Sequence, residues 1–246
     1  MLKSHTESTR QQFLEILHIA AHDIRGPLGS ILHGLELLLD PRIGELNEKQ
    51  RNIVLSLHKQ NSALHKILSE VLDLEKMESG QLSIQKVPAI FSHILEITLG
   101  EMVEQAHFAQ VQLQLHDQLP PAFVIEVDVA RIRQVLRNLL ENALRYSPKH
   151  HTLSIAAAVE NGQLVISCQN NGPHIPAENI SQIFDKFFQV QHQKKLGHGL
   201  GLSICRNIVE LHGGKIWAEN VQPQGVKFTF VLPTQSATVE SAATSR

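Results

Sequence analysis

Residues 129–147 read VARIRQVLRNLLENALRYS, and the fold turns on how this stretch is read. Its apolar residues recur at three- and four-residue steps, which predicts an amphipathic helix with one face for a core. Asn138 and Asn142 stand four apart and therefore share a helical face, with Arg145 and Tyr146 a turn further on. Neutral amide oxygens are hard ligands, suited to Mg²⁺ that phosphates already hold. On that chemistry Asn142 is placed to ligate the metal and Asn138 to support it. Arg145 is placed to meet phosphate, and Tyr146 to cover a base. The same four residues also fit a polar helix face wetted by solvent, so the helix has to be read with its neighbours.

Those neighbours mix strands with helices. LSIQKVP (82–88) opens the region, followed by a helical stretch near 89–109. The alternating segments VQLQLHD (111–117) and AFVIEVD (122–128) read as strands that lead into the helix. Beyond it, HTLSIAAAVE (151–160) and QLVISCQN (163–170) flank Asn161-Gly162, the dipeptide that favours a two-residue hairpin turn. GKIWAEN (214–220) and GVKFTFVLP (225–233) supply the last strands. The pattern predicts an α/β two-layer sandwich over residues 82–235, with one mixed sheet covered by helices on one face. Residues 236–246, SATVESAATSR, lack large apolar groups and read as a disordered tail.

Residues 1–81 have a different texture. Phe13, Leu17, Ala20, Ile24, Pro27 and Ile31 recur at alternating four- and three-residue steps, which is a coiled-coil seam. DPRIGELN (40–47) interrupts it as a helix-to-helix turn would. A second seam follows through Ile53, Leu57, Leu64, Ile67, Val71 and Leu74, with polar Gln60 at one step, and stops near Ser79-Gly80. A lone helical hairpin cannot enclose such stripes, whereas two copies packed as a four-helix bundle can, so a homodimer is expected. Docking of the hairpin on its own C-terminal region is the alternative.

Composition narrows the function classes. The 246 residues are 42% hydrophobic and 19% charged, which fits a chain with a real core. A formal net charge of −2 supplies no basic field, so neither nucleic acid nor direct membrane contact is expected. No apolar run approaches a membrane span, and no signal peptide opens the chain. The two cysteines, Cys168 and Cys205, lack metal-type spacing and read as reduced thiols. These features predict a cytoplasmic protein or the cytoplasmic portion of a larger one.

A glycine-rich stretch, GHGLGL (197–202), lets backbone amides approach phosphate oxygens, and the helix after it offers its positive end. Alone it is also a plain turn, and it is not a Walker sequence. Taken in order, HDIRGPL (22–28), NLLENALRYS (138–147), NNGPHIP (170–176), IFDKFF (183–188) and GHGLGLSICRNIVELHGG (197–214) resemble the H, N, G1, F and G2 boxes of sensor histidine kinases. The resemblance runs from about residue 10 to residue 233. It implies a dimerisation and phosphotransfer hairpin followed by a Bergerat-type ATP-binding domain, with ATP and Mg²⁺ as cofactors.

By the same resemblance His22 is the phosphoacceptor and Asp23 its general base, and a response regulator receiver domain is the partner. Asn142 holds the metal. Asn138, Asn142, Arg145, Tyr146, Asn170, Gly172, Lys195, Gly197, Gly199, Leu200 and Gly201 bind the nucleotide. The lid spans Phe187 to Leu196, where Lys194 and Lys195 reach the γ-phosphate, and Asp128 and Arg131 fit the lead-in to the N box. Pro27 then has a use despite a helix-interior cost of about 3 kcal/mol. It cannot donate to the Asp23 carbonyl, so the turn bearing His22 and Asp23 is loosened and the imidazole can swing toward nucleotide.

Several positions depart from the family. Asn170 replaces the G1 aspartate that accepts from the adenine amino group, His174 replaces the second G1 glycine, and Val226 replaces a supporting threonine. Gly26 stands where relatives place a threonine associated with regulator dephosphorylation, and Gln189 where many carry a basic residue. The expected activity is ATP-dependent autophosphorylation of His22 with transfer to a regulator aspartate. The alternatives are a catalytically weak nucleotide-binding dimer that regulates another kinase, and a hydrolytic ATPase. The last needs a glutamate base where Asn138 stands.

Overall fold

The computed structural model describes residues 23–190 and 199–234. The chain divides into two compact units, Met1–Leu82 and Ser83–Arg246. In the first, helix α1 covers residues 23–39 of the described chain and continues through Pro27 without a break. Helix α2 (Glu48–Glu78) returns beside it, with the Asn61 amide donating to the Leu28 carbonyl at 2.9 Å. The turn between them is built by side chains. Asp40 accepts from the Arg42 backbone and guanidinium, and Asn47 and Gln50 form a reciprocal capping box at the start of α2. Ser79 ends α2, and Gly80 follows with φ +67°.

The buried stripe of α2 differs from the seam read in the sequence. Val54 and Asn61 are buried, whereas Ile53, Leu57 and Leu64, with Ile24 and Ile31 of α1, are 47–60% exposed. The first half of the α2 seam thus faces outward, whereas further along Ile67 and Val71 are half-buried and Leu74 is buried. Gln60 is exposed, while Asn61, Glu70 and Asp73 are buried polar residues of α2.

The second unit is a two-layer α/β sandwich. Its elements are β1 (Val87–Ile90), α3 (Phe91–Ala109), β2 (Gln112–Asp117), β3 (Val124–Val127), α4 (Val129–Tyr146), β4 (Thr152–Glu160) and β5 (Gln163–Asn170). After a single 3₁₀ turn come α5 (Gly201–Leu211), β6 (Lys215–Asn220) and β7 (Val226–Pro233). The main sheet has the order β2-β4-β5-β7-β6, with β2 and β4 parallel and the other neighbours antiparallel. The expected hairpin is present: Glu160 pairs Gln163 across Asn161 and Gly162, both at positive φ.

One expectation needs correction. AFVIEVD does not join the main sheet; its strand β3 pairs antiparallel with β1 in a separate two-stranded ribbon. Alternation specified a strand but not a partner, because strand pairing is settled by contacts distant in sequence.

Ile155, Cys168 and Phe228 align across three strands, as do Ala157, Ile166 and Phe230, and all six are buried. Ile132, Val135, Leu136, Leu139 and Ala143 of α4 and Ile204, Ile208 and Val209 of α5 complete this core. Cys168 and Cys205 are free and buried, and burial pushes the Cys168 thiol up to about 12.

The start of α4 is tied to the end of α5 by His212, which is buried. Its Nε2 accepts the Asp128 backbone N–H at 3.0 Å, and its Nδ1–H donates to the Ile208 carbonyl at 2.8 Å. Both bonds require the neutral ring with its proton on Nδ1. Burial first, then the nearby Lys86 charge, holds this imidazole below its ordinary value, against the Ile208 bond and the Asp128 charge. The unfolded chain then binds more protons, so the stabilisation is complete above about pH 6.5 and declines as pH falls below it. Urea unfolding between about pH 7 and pH 5.5 should show this acid decline, and the His212→Gln variant should decline less. Equal slopes would assign the decline to other groups.

Candidate functional site

Helix α4 presents the polar residues because its opposite stripe is fixed on the sheet. Asn138 is nearly buried, and its Nδ2 donates to the Gly201 carbonyl at 3.4 Å. This contact joins the amide face of α4 to the first residue of α5. Asn142 and Tyr146 follow one and two turns later, both half-buried, with Arg145 exposed beside them. The structure therefore brings Asn138 and Gly201 together, and it keeps Asn142 and Tyr146 on that helix face. An amide held against a helix N-terminus, with a second one turn along the same face, suits a phosphate carrying a hard cation.

The end of β5 forms a second wall. Asn170 is 2% exposed, its Oδ1 accepting from the Val226 backbone N–H at 3.0 Å and its Nδ2 donating to the Ala143 carbonyl at 3.2 Å. The amide of a β5 residue thus bridges α4 and β7. Gly172 has to lack a side chain: a Cβ there would lie 2.4 Å from the Tyr146 carbonyl oxygen. The His174 ring does not crowd this approach. Its Nε2 lies 3.0 Å from the Val221 carbonyl, on the β6–β7 turn. Asn220 doubles that tie, accepting from Ile175 N–H at 2.9 Å and donating to Ile175 carbonyl at 2.8 Å.

A third wall is the junction of the F box with α5. Phe187 N–H donates to the Gly199 carbonyl at 2.9 Å, so residues 187 and 199 close the base of the segment between them. Gly199 sits at φ +70°, and a Cβ there would meet the Phe187 and Phe188 backbone at 2.7–2.9 Å. Phe184 is buried. The Arg206 guanidinium of α5 lies 5.1 Å from its ring centroid and 3.4 Å from the Asp185 carboxylate. Leu200 is buried and caps α5, its carbonyl accepting from the Ser203 hydroxyl at 2.8 Å.

His22, Lys194, Lys195 and Gly197, with the tail 236–246, lie outside the described residues; Asp23 is exposed on α1. Sequence reasoning passed over His212, Asn220 and Arg206. The signal for His212 was its place before Gly213-Gly214 at a helix end. Nothing local marked the other two, whose partners lie far along the chain. Asp128 is the N-cap of α4, accepting from Arg131 N–H at 3.1 Å. No group of metal-ligating His, Cys, Asp and Glu occurs among the described residues, and none of their helices is long and apolar enough to cross a membrane.

Such a sandwich, with a glycine-entered helix facing an amide-bearing helix, defines an ATP-binding domain of the Bergerat class. Residues 127–236 match the family described as histidine kinase-, DNA gyrase B- and HSP90-like ATPase, and residues 10–80 match the His Kinase A (phospho-acceptor) domain. The adaptive-response sensory kinase SasA of Synechocystis is 32% identical over 243 residues, which cover 95% of this chain and 63% of SasA. The catalytic domain of histidine kinase ThkA is 31% identical with a TM-score of 0.55, covering 61% of this chain and 96% of that one. Full-length ShkA in complex with AMPPNP is 25% identical with a TM-score of 0.71, covering 89% of this chain and 46% of ShkA. The chain belongs to the sensor histidine kinases and carries their catalytic core. It spans between 30% and 63% of the length of such curated relatives.

The lid base offers a direct test. Gly199→Ala faces roughly 1–2 kcal/mol from its backbone angle alone, before any clash. The expected result is a fold retained by circular dichroism with nucleotide affinity lowered about tenfold or more. Unchanged affinity would mean that the Phe187–Gly199 closure does not shape the site.

Proposed function

We propose that this chain is an ATP-dependent protein-histidine kinase that autophosphorylates on His22 and passes the phosphoryl group to an aspartate of a response regulator. The observation that carries this reading is the Asn138–Gly201 contact, which sets the amides of α4 against the N-terminus of α5. Residues 1–81 act as the dimerisation and phosphotransfer domain, 82–235 as the ATP-binding domain and 236–246 as a tail. Asn142, with Asn138 behind it, would hold Mg²⁺, which when bound would supply charge neutralisation to the transferring group. Arg145, Lys195 and the α5 N-terminus entered by Gly197, Gly199 and Gly201 hold phosphate. Tyr146, Gly172 and Asn170 receive the base.

In the transfer a neutral His22 nitrogen attacks the γ-phosphorus, the bond to the ADP oxygen breaks, and the ring proton passes to Asp23. Positioning and charge neutralisation then account for most of the acceleration. The outward seam of Ile24, Ile31, Ile53, Leu57 and Leu64 supports a homodimer, since a second hairpin would cover that stripe. A cytoplasmic location suits the reaction's need for ATP. The titles of two solved relatives are in keeping with nucleotide and partner: ShkA was solved with AMPPNP, and ThkA with the response regulator protein TrrA.

Radiolabel from γ-labelled ATP should enter the wild type as an acid-labile adduct and be absent from His22→Gln. Asn142→Ala should lower labelling at least about a hundredfold with the fold intact. Steady ADP release without protein labelling would favour a hydrolase instead. A second expectation concerns Gly26, which has no hydroxyl with which to position water. Regulator-phosphate decay should be nearly the same with this protein plus ADP as without it. A marked acceleration would refute that reading.

A further inference from the structure

We infer that Asn170 relaxes base selectivity at the proposed nucleotide site, so that 6-oxopurine triphosphates bind nearly as well as ATP. The inference rests on the reading above that the base lies against Asn170. The amide of Asn170 is held in one orientation. Its Oδ1 faces a group that can only donate, the Val226 N–H at 3.0 Å, and its Nδ2 faces one that can only accept, the Ala143 carbonyl at 3.2 Å. Turning the amide over would set donor against donor and acceptor against acceptor in a place that is 2% exposed.

With those two bonds made, Oδ1 keeps one lone pair and Nδ2 keeps one hydrogen. The side chain thus offers an acceptor and a donor together. A carboxylate at the same position would offer acceptors alone. An adenine edge presents an amino donor beside the ring acceptor N1, and a hypoxanthine or guanine edge presents a 6-oxo acceptor beside N1–H. Acceptors alone favour the amino group and repel the oxo group, whereas the fixed amide meets an amino edge with Oδ1 on the amino group and Nδ2 on N1, and meets an oxo edge with the base shifted so that N1–H reaches Oδ1 and the oxo group reaches Nδ2. Its named neighbours add no other reader. Gly172 brings only backbone close, and a Cβ there would lie 3.1 Å from the Asn170 Nδ2. Val226 contributes its N–H, already spent on Asn170, and an apolar side chain.

Replacement by aspartate sets a carboxylate oxygen where Nδ2 now faces the Ala143 carbonyl, a repulsive contact but not one that orphans that carbonyl. The Ala143 carbonyl also accepts from the Ser147 N–H at 3.0 Å and its hydroxyl at 2.8 Å, so losing the Asn170 donor does not leave it unpaired.

The test is displacement of a ribose-labelled fluorescent ATP analogue from the full chain with Mg²⁺, using ATP, ITP, GTP and CTP as competitors. ITP differs from ATP only at the 6-position and N1, so it is the decisive probe. ITP should compete within about tenfold of ATP, CTP should compete much more weakly, and Asn170→Asp should raise the ATP-to-ITP preference at least about tenfold. A wild-type preference for ATP over ITP beyond about a hundredfold would overturn the inference while leaving the kinase reading intact. Competition by CTP equal to that of ATP would also overturn it, since the base would then not be read. Failure of ATP itself to displace or bind would sink the kinase reading, and this inference with it. Should Asn170→Asp not fold, the wild-type ratio still decides.

Discussion

Helix α4 is held at both ends, and the site depends on that restraint. At its start Asp128 accepts from the Arg131 N–H at 3.1 Å and the Gln85 N–H at 2.9 Å, and it gives its own N–H to His212. Near its end the Ala143 carbonyl takes the Asn170 amide. Between these ties Ile132, Val135, Leu139 and Ala143 are almost wholly buried. Rotating the helix by one residue would carry Asn138 into that core and expose part of the stripe. Burying an unpaired amide costs about 1–3 kcal/mol, and each exposed aliphatic side chain forfeits a similar amount. The amide face is therefore set by the opposite face of the same helix.

The loops around the cleft are secured by the same logic at smaller scale. The G1 segment is stitched to the β6–β7 turn through both polar groups of Asn220 and through His174. The F box is stitched to α5 by Phe184, Asp185 and Arg206. The ties are amide hydrogen bonds in the first case and an ion pair with a cation–π contact in the second, each weak alone. Rigid strands and helices thus carry the backbone positions, and the groups proposed to meet nucleotide hang from them. His174 illustrates the consequence. A ring that looks obstructive in the sequence is accommodated because the neighbouring turn offers it a carbonyl.

The hairpin shows a different use of apolar residues. One stripe, with Val54 and Asn61, is buried within the chain, and a second, with Ile53, Leu57 and Leu64, stays open. The open stripe is the one that a second hairpin would cover in the proposed bundle. The buried Asn61 donates to the Leu28 carbonyl, one residue after Pro27, so the hairpin is pinned beside its proline. The helical run through Pro27 fits a local loosening at most, since residues 23–39 remain one helix.

Much of this was legible in the chain because periodicity is a local property. A 3.6-residue repeat marks α4 and the hairpin, a two-residue repeat marks β4 and β5, and Asn161-Gly162 dictates its own turn through positive φ. Motif order marked Asn138, Gly172 and Gly199 as members of one proposed site, and Asn138 does meet the first residue of α5, Gly201. Which donor meets which acceptor was not legible. His212 finds Asp128 across 84 positions, Asn170 reaches Val226 across 56, and β3 leaves the main sheet for β1. Short-range sterics determine elements, whereas partners are selected by three-dimensional packing, where a hydrogen bond is worth making only once its surroundings are dry.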